Sequence, residues 1–411
     1  MSPMESTAQR PVAVNAPVTD LDPYADAVLD DPYPHYERLR ELGPIFYLSR
    51  YDAYGLARHA EIDAVLRDPA TFCSSAGVGL ANFHTTAAWR KPSIILEVDP
   101  PMHARTRKVV AGLLAPASIN KLRPTFEQQA ERLVDALLQQ GGQIDAVPAL
   151  CEAYPLKVFA DAVGIPAQGR ETYLLPYGDM VFNAFGPVNE RFQACLAKAQ
   201  QGAIEWIGEV CKRENLTSDG LGMQLYQAAD EGLLAPDEAP MLVRTLLSAG
   251  LDTTVFTLCN AVLSFARHPD QWALVHANPA LARQALEEVL RYESTFHSFY
   301  RTTTRDVDIA GVQMAPEQKI CVLIGSANRD PRRWGETADR FDVTRRAAGN
   351  MAFGTGIHGC AGQMIARLEG ETLLTVLARR VKAIHLEGAP SMHYNNSVRG
   401  YTRMPVRLVA A

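Results

Sequence analysis

The segment 236–267 constrains the fold more than any other part of the chain. Apolar side chains recur at i, i+3 and i+4 along it, Pro236 suits a first helical turn, and His268-Pro269 stops the pattern. It therefore predicts one uninterrupted helix, which at 1.5 Å per residue would run roughly 45 Å. Because it is apolar nearly all round, it should be buried, which requires a large helical core around it.

The middle of this helix contains residues that are costly in a buried helix. It reads Ser248-Ala249-Gly250-Leu251-Asp252-Thr253-Thr254. A glycine weakens a helix interior, and a buried carboxyl loses its solvation. Such a cost at the centre of a buried element indicates a function for this stretch.

The rest of the chain is mostly helical in pattern, with short β signals. The other predicted helices are 103–113, 116–140, 168–183, 189–213, 279–293 and 363–380. The predicted strands are 45–48, 53–57, 299–303, 307–309, 320–324, 383–386 and 406–409. Since no repeat or linker divides the chain, we expect a flexible leader over 1–30 and one mostly α domain with a small β portion over 31–411.

Composition argues against several classes of protein. The net charge of −6 disfavours nucleic acid and anionic membranes as bulk partners. The first residues lack the basic start and apolar block of a signal peptide. The seven cysteines are scattered without a C-x-x-C pair, which disfavours disulfide scaffolds and zinc sites and suits the cytoplasm. An odd number of cysteines in such a setting raises the question of whether one is reactive.

Cys360 lies in a glycine-rich stretch directly before the predicted helix 363–380. Glycines let the backbone approach a flat group closely, and a helix N-terminus favours a thiolate. An inert buried thiol in a glycine-rich turn is the alternative. The stretch resembles the haem loop of the cytochrome P-450 superfamily, F-x-x-G-x-[HR]-x-C-x-G, and it matches at every fixed position. These are Phe353, Gly356, His358, Cys360 and Gly362.

The resemblance implies a triangular prism of helices around the long central helix, with minor β-sheets. It also implies haem b with Cys360 as the thiolate ligand of iron, and monooxygenase activity with O2 as co-substrate. In Ala249-Gly250-x-Asp252-Thr253, which matches the family's oxygen-activation motif, Asp252 would relay protons and Thr253 would hold the oxygen species and its water.

Two further sets of residues follow from the resemblance. Glu288 and Arg291 match the Glu-x-x-Arg pair that braces the core on the haem side, with Arg340 as the expected third partner. The haem propionates would be bound by cationic side chains, for which ordinary surface charge is the alternative. The candidates are His103, Arg107, Arg301 and His358.

We expect electrons to arrive from a separate protein, because no flavin or iron–sulfur module follows the haem loop in this sequence. In soluble bacterial members this is usually a small acidic ferredoxin, reduced by an NAD(P)H-dependent reductase. Arg105, Lys108 and Arg367 would supply complementary charge, unless they are simply solvated.

A narrower resemblance concerns the substrate. From Asp31 onward the chain is similar to bacterial enzymes that oxidise the para substituent of benzoates, for instance by O-demethylation of 4-methoxybenzoate. The matching stretches are Phe72-Cys73-Ser74-Ser75, Trp89-Arg90-x-Pro92-Ser93, the segment 181–187 and the segment 244–250. The resemblance implies that Phe182 and Phe185 contact the aromatic ring, unless they belong to the core.

The resemblance also implies a polar anchor for the substrate carboxylate, formed by Arg90 and Ser93 with Ser248 and Arg244. An ordinary surface position is the alternative for Arg90.

Two departures weaken this comparison. Position 245 is threonine where serine is expected, and no proline follows Glu293-Ser294. Residues 295–299, which include His297 and Phe299, should line the pocket near the haem, and His297 could add a polar contact there. Benzoates, cinnamates and phenols therefore all remain open.

Two other functions compete with this interpretation. One is a helical binding protein in which Cys360 is inert. The other is a haem enzyme that uses peroxide directly, although such enzymes often lack the acid–threonine pair that is present here.

Overall fold

The computed structural model describes residues 15–88 and 90–411. Most of these residues are helical, and the strands are short. The helices are α1 (Asp26–Asp30), α2 (Tyr33–Leu42), α3 (His59–Arg67), α4 (Met102–Leu113), α5 (Pro116–Ile119), α6 (Arg123–Gln139), α7 (Ala153–Val163), α8 (Arg170–Asn183), α9 (Glu190–Ala199), α10 (Ala203–Val210), α11 (Leu221–Asp230), α12 (Glu238–Gly250), α13 (Asp252–Arg267), α14 (Pro269–Ala277), α15 (Ala282–Tyr292), α16 (Ile324–Ala327), α17 (Pro331–Trp334) and α18 (Gln363–Arg380).

The long central helix is present, but regular geometry is interrupted at Leu251, where α12 ends and α13 begins (φ −93°, ψ −65°). The prediction of one uninterrupted helix is wrong at this residue. The hydroxyls of Thr253 and Thr254 donate to the carbonyl oxygens of Ala249 and Gly250, 3.0 and 3.2 Å away. Such side-chain bonds to the preceding turn bend helices, which accounts for the irregularity.

The remaining helix predictions match in position and differ in their ends. The predicted helix 363–380 is confirmed with the same bounds. The predicted helix 116–140 divides into α5, a 3₁₀ turn and α6, and the predicted helix 189–213 divides at Gly202, where φ is 115°. The helices that were not predicted are α1, α2, α3, α7, α11, α14, α16 and α17, because their apolar residues also fit loops and short strands.

The strands form a minor part, as predicted. They are β1 (Val18–Thr19), β2 (Phe46–Leu48), β3 (Ala53–Leu56), β4 (Phe72–Cys73), β5 (Gln143–Asp145), β6 (Ser298–Thr303), β7 (Val307–Ile309), β8 (Val312–Met314), β9 (Lys319–Leu323), β10 (Val381–Leu386), β11 (Ser391–His393), β12 (Gly400–Arg403) and β13 (Pro405–Ala410). The main sheet has the order β1-β2-β3-β9-β6-β4, and β10-β13-β5 forms a second sheet.

The predicted leader differs from the structure over residues 15–30. Val18 and Thr19 pair in parallel with Tyr47 and Leu48 of β2, and Asp26–Asp30 forms α1. The chain is therefore tied to the main sheet well before residue 31, while residues 1–14 of the predicted leader lie outside the described residues.

The central helix lies in the core. Within the described part of the chain, Glu238–Arg267 is long and apolar enough to cross a membrane, and 67% of its apolar stretch is buried inside the protein. A helix buried to this extent belongs to the core of the protein. Helix α18 packs against α6, α13 and α15, and this packing fixes the loop that carries Cys360.

The predicted Glu288–Arg291 pair is fully buried, and each side chain has 0% exposure. The Nε and Nη2 atoms of Arg291 donate to the two carboxylate oxygens of Glu288, each at 2.7 Å. Arg340 contributes only its carbonyl oxygen, at 3.0 Å from Arg291. The third side chain is Arg345, whose Nε lies 3.3 Å from Glu288. The prediction of Arg340 is therefore corrected to Arg345, because the Arg340 side chain is exposed.

Candidate active site

A cavity of about 230 Å³ lies between the α12–α13 junction and the Cys360 loop. Its walls are mainly apolar. Several predicted site residues meet on it although they are far apart in the chain, which is the arrangement that an active site requires. Those that line it are Arg107, Phe182, Phe185, Ser248, Thr253, Phe299, Arg301, Phe353, His358, Cys360 and Gly362.

Cys360 faces the cavity from the loop before α18. Its backbone N–H donates to the carbonyl of Phe353 at 2.7 Å, which folds the loop back on itself. Burial raises the pKa of the Cys360 thiol, while the backbone N–H groups of Gly362 and Gln363 and the positive charge of Arg107 act in the opposite direction. The protein alone thus leaves the thiol protonated, and a bound metal cation would be needed to make it a thiolate.

Gly356 is required by the loop geometry. Its φ is +69°, and an added Cβ would lie 2.2 Å from the carbonyl oxygen of Leu66. Any side chain here would push the loop away from the end of α3. This explains why the glycine of the motif stands at a position that does not itself line the cavity.

The predicted propionate set lies along one side of the cavity, except that His103 stands behind it. The ring of His103 packs on that of His358, with centroids 4.2 Å apart. Among the described residues, the buried Nε2 of His103 has no hydrogen-bond partner, and the Nε2 of His358 lies 3.8 Å from a carboxylate oxygen of Asp99. Arg107 and Arg301 are without a carboxylate partner among residues 15–88 and 90–411, and burial lowers the pKa of Arg301 to about 10.

These residues fit a haem. The guanidinium of Arg301 is buried and that of Arg107 half-buried, and neither has an ion-pair partner among the described residues, so the cavity suits anions such as two propionates. Among the described residues, Cys360 is the one thiol on the cavity wall, which would suit a bond to iron. His358 is a further donor on the cavity wall, and His103 packs behind it.

Asp252 and Thr253 point in different directions. Thr253 lines the cavity, whereas Asp252 is 2% exposed and does not. A Cβ added to Gly178 on α8 would lie 2.2 Å from a carboxyl oxygen of Asp252, so the acid fills the space left by that glycine. Burial raises the pKa of Asp252 well above its ordinary value, and the negative charges of Asp179 and Glu152 raise it further.

Aromatic rings form the wall above the Cys360 loop. Phe296 and Phe299 stack in parallel, with centroids 3.8 Å apart and planes 5° apart. Phe182 lies 5.7 Å from Phe296, and Phe185 lies 6.3 Å from Phe299, in tilted or edge-on arrangements. Phe182, Phe185 and Phe299 were predicted. Phe296 was predicted only as part of the 295–299 stretch.

The predicted carboxylate anchors are only partly brought together. Ser248 lines the cavity, and so does Thr245, but Arg90, Ser93 and Arg244 do not. Arg90 forms a two-pronged ion pair with Glu97, at 2.7 and 2.8 Å, and the backbone N–H of Ser93 donates to the same carboxylate. Glu97 is 3% exposed. Sequence reasoning missed Glu97, although an acid seven residues after an arginine in a short loop is a visible signal.

His297 does not line the pocket, contrary to prediction. Its Nδ1 lies 2.7 Å from the hydroxyl of Tyr36, behind the cavity wall, and burial lowers its pKa to about 3. The segment before β6 is irregular, and its backbone bonds to Ser397 and Gly325 at His297 direct that side chain away from the cavity. Thr295, Phe296 and Phe299 take the cavity side.

The predicted docking charges are largely paired within the protein. Arg105 binds Glu238, and Arg367 binds Glu287 while packing over the Phe353 ring at 4.4 Å. Lys108 is exposed. The charge available to a partner protein near α4 is therefore smaller than the sequence indicates.

Comparison with known proteins gives consistent matches. Residues 173–399 match the model of the family described as Cytochrome P450. Cytochrome p450 CYP199A2 of Rhodopseudomonas palustris is 49% identical over 395 residues, covering 96% of this chain and 95% of that protein. Epothilone C/D epoxidase of Sorangium cellulosum is 30% identical over 404 residues, covering 95% and 96%. The structure of cytochrome P450 CREJ in complex with (4-ethylphenyl) dihydrogen phosphate has a TM-score of 0.83 at 26% identity, covering 92% of this chain and 98% of that chain.

Proposed function

The chain belongs to the cytochrome P450 family, and we propose that it inserts one oxygen atom of O2 into the para substituent of a small aromatic acid. It is a haem-dependent monooxygenase whose reducing equivalents come from NAD(P)H through redox partners. The reaction we assign is O-demethylation or hydroxylation at the para group of a benzoic acid. We place it in the cytoplasm.

In this proposal Cys360 binds the iron, and Arg107, Arg301 and His358 bind the propionates. When bound, the haem supplies the activation of O2 for attack on a carbon–hydrogen bond. Thr253 lines the cavity and its hydroxyl donates to the carbonyl of Ala249, which leaves the hydroxyl oxygen to accept from a proton-bearing group near the reacting oxygen. Asp252 supplies protons from behind the same helical turn. The apolar wall excludes bulk water, which would otherwise compete for the site.

The aromatic wall is the observation that carries the substrate class. Six phenylalanines line the cavity, and the parallel pair Phe296–Phe299 offers flat surface to a ring. The complex of cytochrome P450 CREJ with a 4-ethylphenyl phosphate concerns a para-substituted aromatic anion. Thr245 and Ser248 line the same cavity; their hydroxyls donate to the carbonyl oxygens of Met241 and Thr245 and can turn to bind a polar end.

A neutral phenol is the second candidate. It is favoured by the Arg90–Glu97 ion pair, because the cation expected to bind a carboxylate is already neutralised by a buried acid. A neutral hydroxyl could then bind Thr245 or Ser248 without the cost of burying a second charge. A cinnamate, which also carries a carboxylate, belongs with the first candidate.

We further propose that the electron donor is a small acidic ferredoxin with its reductase. Lys108 supports this, because it is exposed on α4 next to Arg107, which lines the cavity. Arg105 and Arg367 would contribute only if their acidic partners were displaced on docking.

The test is a ligand titration of the haem-loaded protein, followed in the Soret region. The matched ligands are 4-methoxybenzoate, its neutral amide and 4-methoxyphenol. We expect the benzoate to bind at least about tenfold more tightly than the amide, the equivalent of one charge-assisted bond. Tighter binding of the phenol supports the second candidate. If none of them shifts the spectrum, the small-aromatic proposal fails.

A further inference from the structure

A cluster of polar side chains stands behind the central helix, outside the cavity. Its centre is Asp179 on α8, which accepts hydrogen bonds from His393 (2.8 Å), Asn395 (2.8 Å), Asn183 (3.0 Å) and Cys195 (2.9 Å). Burial alone would raise the pKa of Asp179. The hydrogen bonds from His393 and the other donors outweigh burial and hold this pKa below its ordinary value. Asp179 is thus an ionised carboxylate with its acceptor sites filled.

Asp252 lies directly beside this cluster. Its carboxyl rests on the α-carbon of Gly178, the residue before Asp179, and its Oδ1 is buried without a hydrogen-bond partner among the described residues. The other charged groups near this region are Glu152 on the π-helical turn Val147–Glu152, Asp145 on β5, and Lys198 and Arg191 on α9. An unpartnered acid aimed at a cluster that contains a histidine indicates a proton path on this side.

The cluster also reaches the outside of the protein. The side chains of His393 and Asp179 are each 19% exposed, whereas Asp252 is 2% exposed. The ring of His393 stacks on that of Phe256, one helical turn beyond Asp252 on α13, with centroids 4.9 Å apart. The histidine is therefore fixed in position while one part of it meets solvent.

We propose that His393 and Asp179 form the solvent-side proton supply of Asp252. Gly178, which has no side chain, leaves the space that the Asp252 carboxyl occupies. This rests on the proposed role of Asp252 as the proton donor beside Thr253. Each proton that leaves Asp252 toward the cavity breaks its O–H bond. A proton passed from the His393 imidazolium to Asp252 through a water molecule restores that bond, and His393 then takes up another proton from solvent. No electrons move. Asp179 and His393 are positioning residues that act through Asp252.

The electrostatics fit this arrangement. Two carboxyls in neighbouring environments have pKa values that are pushed apart, one ionised by its donors and one kept neutral by burial and by the charge of the first. The neutral member is the one that can give a proton. The negative charge of Asp179 thus keeps Asp252 protonated, and His393 connects the two carboxyls to solvent.

The first test is an infrared measurement on resting, haem-loaded protein, independent of turnover. The carbonyl stretch of a protonated acid that disappears in Asp252→Asn belongs to Asp252. We expect this band at neutral pH, and we expect Gly178→Ala to shift it, because the added Cβ displaces the carboxyl. Gly208→Ala on α10, where an added Cβ meets nothing within 4 Å, is the control. Absence of the band in the unaltered protein overturns the proposal.

The second test separates proton supply from a structural role. His393→Gln keeps a donor for Asp179 but carries no proton, and His393→Phe keeps only the stacking on Phe256. We expect both to slow reductant consumption at least about tenfold and to enlarge its solvent isotope effect, with ligand affinity unchanged. His385→Gln, exposed on β10, is the control. A wild-type rate and isotope effect in His393→Gln overturn the proposal.

Asp179→Asn is the third variant. Removal of its charge should let Asp252 ionise at lower pH in the infrared titration. Should this variant fold poorly because one of the two acceptor oxygens becomes a donor, the His393 variants still decide the outcome. Failure of every aromatic ligand to bind would count against the proposed substrate class alone, since the infrared band is measured without ligand.

Discussion

Asp252 and Thr253 are adjacent in the chain, but their side chains lie on different sides of the central helix. Thr253 lines the cavity that contains Cys360, whereas the carboxyl of Asp252 is buried against Gly178 of α8. The irregularity at Leu251 directly precedes them. The two residues of the motif therefore have separate environments, one toward the reacting centre and one toward the proton source.

This separation predicts different defects for the two residues. We expect Asp252→Asn to slow reductant consumption about a hundredfold, because general-acid groups contribute at least that much. Thr253→Ala should consume reductant within a few-fold of the normal rate, yet form about tenfold less product and release peroxide instead. The assay measures NADH, product and peroxide in one reconstituted mixture. Equal slowing with unchanged product yield in both variants would contradict the assignment.

The buried Glu288–Arg291 pair predicts which neighbouring arginine matters. Arg345→Ala should lower the free energy of unfolding by about 1–3 kcal/mol, because it removes a charged hydrogen bond from a fully buried carboxylate. Arg340→Ala is the matched control and should stay within about 0.5 kcal/mol, since only its carbonyl takes part. Urea unfolding measures both. If Arg340→Ala lowered the free energy of unfolding more than Arg345→Ala does, the result would contradict the structure.

Glu369 predicts a pH dependence of stability. It is fully buried on α18, both oxygens are without partners among the residues described, and burial raises its pKa well above the ordinary value. An acid with a raised folded-state pKa stabilises the fold below its unfolded pKa, and this stabilisation is lost as the pH rises toward the folded pKa.

The unfolding free energy should therefore fall relative to that of Glu369→Gln by up to about 1.4 kcal/mol per pH unit above roughly pH 4.5. Urea unfolding at several pH values checks this. Glu336→Gln, which alters an exposed acid, should run parallel to the unaltered protein. A constant difference between Glu369→Gln and the unaltered protein would show that Glu369 is ionised or paired.

Glu97 predicts how the charge of Arg90 is used. Glu97→Gln removes the anion that neutralises Arg90, so the affinity for 4-methoxybenzoate should rise about tenfold while the affinity for the neutral amide stays the same. Soret titrations measure both affinities. If the affinities for acid and amide change together, Arg90 does not contact the ligand carboxylate, and the effect is a change of loop structure.

Much of the architecture could be predicted because it depends on local signals. Helix 363–380 has the same bounds in the structure, since glycines precede it and a β-rich segment follows. The interruption at Leu251 could not be predicted, because the apolar pattern continues through it and the cause is a pair of threonine hydroxyls that bond backward.

Site residues that belong to a sequence motif were predicted. Side-chain partners that depend on the conformation of a loop were not. Cys360, Thr253 and Arg107 stand on one cavity. The side chain that bonds Glu288 is Arg345 and not Arg340, and Arg90 bonds Glu97 and does not line the cavity. Both contacts depend on the backbone conformation of an irregular segment. No periodicity encodes such a path.

The central claim is that Cys360 is the thiolate ligand of a haem iron. The most direct measurement is the absorption spectrum of the folded, haem-loaded protein after reduction and exposure to carbon monoxide. We predict a band at about 450 nm, the absorption from which the family takes its name, and its loss in Cys360→Ser. A folded and haem-loaded protein without that band, or one that keeps it after Cys360→Ser, would contradict the claim.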